Sequence, residues 1–358
     1  MKFKIEKSNL SEALKLPIQA SAPKGPMPVL GSVLITAGDG IVEITGTNLD
    51  QQIASFCEAE VESPGSVCVP ASRFRNLVSA VSGSIEIEAD GDDICFKSGK
   101  FSSTLMGLPA EEFPSLKKED MNFNCSFPGD LLASKIHSCI FAASTDETRY
   151  ALNGVLLEST KEGTRMVATD GRRLAMVDLG RSYGEFAVII PTIAAAAIES
   201  AARDAGSVEL VISDSTLECT TETAVVHTKL IEGKYPDYRA VIPSRDQKWA
   251  TAEFDKKGLI SAFKRVGLFS DKARPATMLS FEGGTLTLDS SINGEGQAKE
   301  EVEGAGDDFE TCVNPQYVDQ MLNSVDEDEI EIWSKDKESP IRIHVGDLEY
   351  IVMPMRQG

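Results

Sequence analysis

The feature that most constrains this chain is repetition at domain length. Three times a short alternating strand runs into an amphipathic helix: Phe3-Lys4-Ile5 into 9–16, 123–127 into 130–141, and 252–254 into 258–266. Three times a second strand ends in Pro or Asn and a second helix begins. The copies are Val67-Cys68-Val69-Pro70 into 72–81, Val188-Ile189-Ile190-Pro191 into 193–202, and Thr311-Cys312-Val313-Asn314 into 316–325. Proline suits a helix start because its missing N–H would be unpaired there anyway. A strand pair follows each second helix, at 84–88 with 94–97, 208–212 with 217–220, and 329–333 with 341–345. Each third closes on Phe113-Pro114, Tyr235-Pro236 or Met353-Pro354. The period, roughly 120 residues, is that of a domain and not of a solenoid unit. Three homologous α+β domains follow, at 1–120, 121–246 and 247–358, with joints in the Pro-bearing, charged stretches 110–120 and 242–248.

Bulk chemistry narrows the class. With 42% hydrophobic and 25% charged residues the chain is an ordinary globular protein. No apolar run approaches the roughly 20 residues a membrane span needs, and the charged start Met1-Lys2-Phe3-Lys4 lacks a signal peptide's apolar core. The seven cysteines are odd in number and never spaced C-x-x-C, which points to free thiols in a reducing cytoplasm.

A net charge of −21 is the wrong sign for a simple nucleic-acid binder. The charge is unevenly spread, however. The helical segments carry a slight positive excess, through Arg73, Arg75, Lys256, Lys257, Lys264 and Arg265, and the strands and loops carry the acid. If the helices face one way and the sheets another, one face attracts a phosphate backbone without reading sequence, and the other repels it. Solvated helix faces explain the same lysines and arginines equally well.

The search for an active site returns nothing. There is no G-x-x-x-x-G-K-[ST] loop, complete G-x-G-x-x-G, H-E-x-x-H or G-x-S-x-G. Gly294-x-Gly296 and Gly304-x-Gly306 sit in an acidic stretch that reads as a loop. His137, His227 and His344 fall at unrelated positions of the three copies, so no shared metal site is expected. Asp170-Gly171 reads as a tight turn displaying Arg172 and Arg173. No catalytic residue, cofactor or metal is expected, which leaves a binding protein: one that holds DNA, or an acidic protein-binding scaffold that does not encircle DNA.

Several motifs in fixed order decide between them. Leu30-Gly31, Ile44-Thr45-Gly46-Thr47-Asn48-Leu49, Arg149-Tyr150-Ala151-Leu152-Asn153-Gly154, 167–175, Gly233-Lys234-Tyr235-Pro236-Asp237-Tyr238 and Val352-Met353-Pro354-Met355-Arg356 span nearly the whole chain. In these the sequence resembles the bacterial DNA polymerase III beta subunit family, the replicative sliding clamps. The resemblance implies three clamp domains, each with paired helices inside and antiparallel sheets outside, forming part of a closed ring made by a head-to-tail homodimer. It implies a processivity factor that encircles double-stranded DNA regardless of sequence and tethers the replicative DNA polymerase. The clamp loader, repair polymerases and mismatch-repair proteins would be the further partners.

Carried over by position, the resemblance places a peptide-binding pocket at Leu152, Thr169, Gly171, Arg172, Arg173, Leu174, Pro236, Val241, Ile351 and Met353. An adjoining part comprises Arg149, Asn314, Tyr317, Pro354, Met355 and Arg356. It places DNA contacts at Lys24, Arg73 and Tyr150, and a dimer interface at Leu105, Leu268 and Phe269. Ala151 and Ala240 stand where some members have Tyr and Arg, so the pocket rim is expected to differ in shape and peptide preference.

Overall fold

The computed structural model describes residues 1–22, 27–116, 122–146, 148–242, 248–271, 273–292 and 294–355. Each third runs strand, helix, strand meander, strand, helix, strand meander. The first comprises β1 (Lys2–Glu6), α1 (Lys7–Ala20), β2 (Ser32–Gly38), β3 (Ile41–Thr47), β4 (Gln51–Glu58), β5 (Glu60–Ser63), β6 (Gly65–Pro70), α2 (Ala71–Ala80), β7 (Ser84–Asp90), β8 (Asp93–Ser98) and β9 (Phe101–Met106). The second comprises β10 (Phe123–Pro128), α3 (Gly129–Ile140), β11 (Gly154–Thr160), β12 (Gly163–Thr169), β13 (Arg173–Gly180), β14 (Phe186–Pro191), α4 (Thr192–Ala202), β15 (Ser207–Ile212), β16 (Thr216–Thr220) and β17 (Ala224–Lys229). The third comprises β18 (Ala250–Asp255), α5 (Lys256–Val266), β19 (Thr277–Glu282), β20 (Thr285–Ile292), β21 (Gly296–Gly306), β22 (Phe309–Val313), α6 (Pro315–Leu322), β23 (Glu329–Ser334), β24 (Ile341–Val345) and β25 (Leu348–Val352).

Two expectations are corrected here. The strand pair after each second helix is a three-stranded meander, completed by β9, β17 and β25. The acidic stretch between Gly296 and Gly306 is the strand β21 and not a loop. Only Val302 along it is buried, so the apolar alternation that marks a half-buried strand is missing. Pairing with β20 supplies the order that its own composition does not advertise.

The chain folds as two compact units, and the cut runs through the middle third. One unit holds Met1–Ala133 with Ile193–Leu230; the other holds Ser134–Thr192 with Ile231–Gly358. The first unit contains a five-stranded sheet, β5-β1-β7-β8-β9, and an eight-stranded one, β10-β15-β16-β17-β4-β3-β2-β6. The second contains a twelve-stranded sheet, β14-β11-β12-β13-β25-β24-β23-β18-β21-β20-β19-β22. Within each unit, therefore, two successive thirds are joined by an antiparallel strand pair: β17 on β4 in the first, β13 on β25 in the second.

Alternation on these strands builds the cores. In the first unit Phe3, Ile5, Leu10, Leu14, Phe74, Ile85, Ile87 and Phe96 are buried together, with Phe74 edge-on to Phe96 at 6.3 Å between centroids. Burying a Leu, Ile or Phe side chain contributes on the order of 1.5–3 kcal/mol, so this cluster dominates the stability of the first third. Helix α1 lies so close to β3 that a Cβ on Gly46 would meet the Pro17 carbonyl oxygen at 1.8 Å. Only glycine fits there. In the third domain, side-chain caps start both helices: Asp255 accepts from the Gly258 N–H at 2.8 Å, and Asn314 accepts from the Gln316 N–H at 3.0 Å. Among the described residues no helix is long and apolar enough to cross a membrane.

Candidate docking cleft and basic surface

The cleft is built on the β13–β25 pair of the second unit. The β12–β13 hairpin turns through Asp170-Gly171-Arg172. Thr169 Oγ1 donates to the Arg173 carbonyl at 2.5 Å and accepts from the Gly171 N–H at 3.0 Å. Asp170 Oδ1 accepts from the N–H groups of Arg172 and Arg173. Gly171 takes φ +82°, where a side chain would be strained. The turn is thus locked by its own polar side chains, and the strand that leaves it presents Leu174 opposite Ile351.

Those two residues, buried at 2% and 1% exposure, form the floor of an apolar cleft of about 120 Å³. Leu152, Thr169, Gly171, Arg173, Pro236, Asp237, Tyr238, Val241 and Met353 complete its walls. Val241 and Met353 stay 47% and 41% exposed, so apolar surface is held in water at the mouth. Tyr238 hydroxyl donates to Glu158 Oε2 at 2.6 Å, and burial, helped by that carboxylate, pushes its pKa up to about 12. Arg239 Nη2 shares the same Glu158 oxygen. The Tyr238 phenol in the wall is thus neutral and anchored from behind.

Beneath the turn Arg173 is 8% exposed and fully engaged. Its Nε donates to Asp170 Oδ2 at 3.1 Å, Nη1 to Gln320 Oε1, and Nη2 to the Phe141 carbonyl at 2.7 Å. Its guanidinium lies 4.4 Å from the Tyr317 ring centroid and 5.5 Å from that of Phe141. A buried charge so paired and stacked supports the cleft from below.

Of the first group of expected pocket residues, all line this cleft except Arg172, whose exposed guanidinium is held by the Tyr317 hydroxyl, which raises its pKa. The adjoining group does not close into one cavity. Pro354 and Met355 line a separate cleft of about 520 Å³ with Met353, Met278, Thr311, Cys312, Lys337 and Glu338. Asn314 is a helix cap, Arg149 Nη1 donates to the Asp170 carbonyl at 2.7 Å, and Tyr317 stacks on Arg173. Arg356 lies outside the described residues. Two wall residues escaped sequence reasoning, Asp237 and Tyr238, although both stand inside the Tyr235-Pro236-Asp237-Tyr238 motif.

The expected DNA-contacting residues fall into three situations. Arg73, Arg75, Tyr150 and Lys264 are exposed. Lys256 Nζ donates to the Val325 carbonyl at 2.8 Å, Lys257 lies 3.8 Å from Asp328, and Arg265 clasps the Glu300 carboxylate, which holds that carboxyl below the usual range. Their charge is partly spent within the chain. Lys24 lies outside the described residues. At the expected interface Leu268 and Phe269 are 75% and 37% exposed, whereas Leu105 is buried in its own core. Its neighbour Met106, on the terminal strand β9, is 80% exposed.

A chain of repeated α+β modules joined by strand pairs within each unit, with an apolar cleft over Leu174 and Ile351, has the make-up of a binding protein of the clamp class. Comparison with known proteins makes this specific. Models of the N-terminal, central and C-terminal domains of the DNA polymerase III beta subunit match residues 1–117, 126–237 and 239–356. The chain belongs to the DNA polymerase III beta subunit family, the sliding clamps of DNA replication. It is a processivity factor and not an enzyme.

The beta sliding clamp of Proteus mirabilis is 29% identical, with 99% of this chain and 100% of that protein aligned, and that of Escherichia coli K12 is 28% identical over the same shares. Among solved structures, the sliding clamps of Pseudomonas aeruginosa and Bartonella birtlesii bound to griselimycin each give a TM-score of 0.92, at 27% and 26% identity. Both cover all of each chain.

Proposed function

We propose that two copies of this chain close head to tail around duplex DNA in the cytoplasm and that the cleft over Leu174 and Ile351 tethers replication and repair proteins by short peptides. The carrying observation is the cleft itself: preorganised, apolar, polar only at its rim, and with a flexible methionine at its mouth. Such a site buries one aliphatic or aromatic anchor, and methionine adapts to several partners. The replicative polymerase, clamp loader, repair polymerases and mismatch-repair proteins are the partners this reading assigns.

For the interface, β9, the last strand of its sheet, and the stretch 296–303 of β21, which is paired with β20 alone, are complementary. Met106 and Phe101 are exposed on one, with Lys97 and Lys100 nearby; Glu300, Glu301 and Glu303 lie along the other, beside Leu268 and Phe269. A heterologous contact of this kind must close on itself to give a ring and not a filament. Arg73, Arg75, Tyr150 and Lys264 supply weak, sequence-blind contacts to DNA, and a closed ring needs no tighter grip. Tethering raises the local polymerase concentration, so modest peptide affinity suffices.

The test is retention on nicked circular duplex DNA after loading, followed by linearisation. The proposal expects retention that is lost when the circle is cut; no retention, or retention indifferent to cutting, contradicts it. Reversing charge at Arg73, Arg75 and Lys264 together should weaken retention, most at low salt, with assembly unchanged by sedimentation.

A further inference from the structure

We propose that the cleft between α1 and α4 in the first unit is a separate docking site, which takes a short basic segment of a partner protein. Lysine or arginine side chains would meet its rim, and small apolar ones its floor. The cleft lies wholly within the first unit, on the face of β4 opposite Gln52, and the reading does not depend on the docking cleft described above. At about 900 Å³ it is within the range of ligand pockets. Ala13, Leu16, Ala201 and Ala224 give it an apolar floor, and the exposed carboxylates of Glu12, Glu58, Asp204 and Glu222 stand at the rim.

The second unit shows what keeps this cleft open. There Lys135 Nζ on α3 donates to Asp347 in the β24–β25 turn at 2.6 Å, and Ser138 Oγ donates to the Ser324 carbonyl behind α6 at 3.1 Å. Counted from the end of the strand before each helix, Ala13 and Leu16 stand in the first unit where Lys135 and Ser138 stand in the second. Neither can make the bridge, so the gap stays open and the Glu222 carboxylate in the β16–β17 turn keeps its charge without a lysine. Among the described residues Glu58 and Asp204 also lack an ion-pair partner, and Lys15, the one cation of the lining, is held by Glu12 at 2.5 Å. Ser55, 5% exposed, lines the cleft from β4, and its hydroxyl has no hydrogen-bond partner among the described residues. A buried hydroxyl left so is costly until an occupant bonds it. The acidic rim repels phosphate and attracts a cation, which selects a basic peptide and not nucleic acid.

The test is fluorescence anisotropy of a labelled peptide of alternating lysine and leucine, titrated with the full-length protein. Asp204→Lys with Glu222→Lys, both at exposed positions, should weaken binding by about tenfold or more, and Ala13→Lys, which copies Lys135, should weaken it as well. Glu282→Lys with Asp289→Lys, the same charge change at exposed positions of the second unit, should leave affinity within about twofold. No binding, or equal losses from the two charge reversals, would overturn the proposal, the latter by showing only a general attraction to an acidic chain. A loss on Met353→Lys in place of Asp204→Lys with Glu222→Lys would put the peptide in the other cleft and overturn it too. Displacement of the peptide by spermidine at similar concentration would make the cleft a site for simple polycations and overturn the peptide reading.

Discussion

The β4–β17 pair of the first unit and the β13–β25 pair of the second are the same joint made twice, with opposite chemistry. Each hairpin entering the joint is locked alike. Thr47 Oγ1 donates to the Gln51 carbonyl at 2.8 Å, as Thr169 does to Arg173, and Asn48 accepts from two backbone N–H groups, as Asp170 does. Register then places Gln51 where Arg173 stands, and the pair Gln52–His227 where Leu174–Ile351 stands. In the first unit Gln52 Oε1 accepts the Leu116 N–H at 3.2 Å, and Lys229 Nζ bonds Asp50 at 3.0 Å. The first joint carries polar side chains where the second is apolar. The second leaves apolar walls facing water. On the proposed reading one backbone serves as a plain connection in the first unit and as a receptor in the second, and a handful of side chains decides which.

Making the second joint resemble the first should have the largest effect. Met353→Lys, which copies Lys229, puts a charge at the cleft mouth on a half-exposed site, so folding survives. Peptide affinity, read by fluorescence anisotropy, should drop by about 30-fold or more, the loss of a typical hot-spot residue. An unchanged affinity would remove Met353 from the site.

Next comes Arg173→Gln, which copies Gln51. It removes the Asp170 and Gln320 bonds and both ring stacks and should lower stability in urea by about 2–3 kcal/mol. A loss under about 0.5 kcal/mol would mean that the guanidinium is a spectator.

A pH effect separates the joints more gently. Burial and Glu158 raise the Tyr238 pKa from its ordinary value to about 12, so its bond stabilises the fold fully below about pH 10. That contribution is lost as pH rises towards 12. Urea melts of the native protein and Tyr238→Phe should therefore converge over this range and stay apart below it.

The smallest effect is expected at the turn. Leu49 adopts φ +77° where its counterpart Gly171 adopts +82°. Relieving a left-handed leucine with Leu49→Gly should raise stability by up to about 1 kcal/mol, less what its half-buried side chain contributes. A clear loss would show that Leu49 packing outweighs its backbone strain.

Much of this was legible in the sequence, and the exceptions have physical causes. The repeat showed itself because each helix buries a face against its own sheet, which imposes a periodicity and a start signal three times over. β21 was hidden because a strand with little burial has no reason to alternate. The cleft residues carried no signal of their own: Leu174, Ile351 and Met353 look like core until the register shows which of them lack a covering layer. The role of Arg173 was equally invisible, because what matters is that Phe141, Tyr317 and Gln320 converge on it from distant parts of the chain.

The most direct test of the central contrast is a crystal structure of the full-length protein with a clamp-binding peptide. The expected result is peptide density over Leu174 and Ile351, against Val241 and Met353, with none over Gln52 and His227. Density at the first joint, or at both equally, would contradict the claim that side-chain chemistry makes only one of them a receptor.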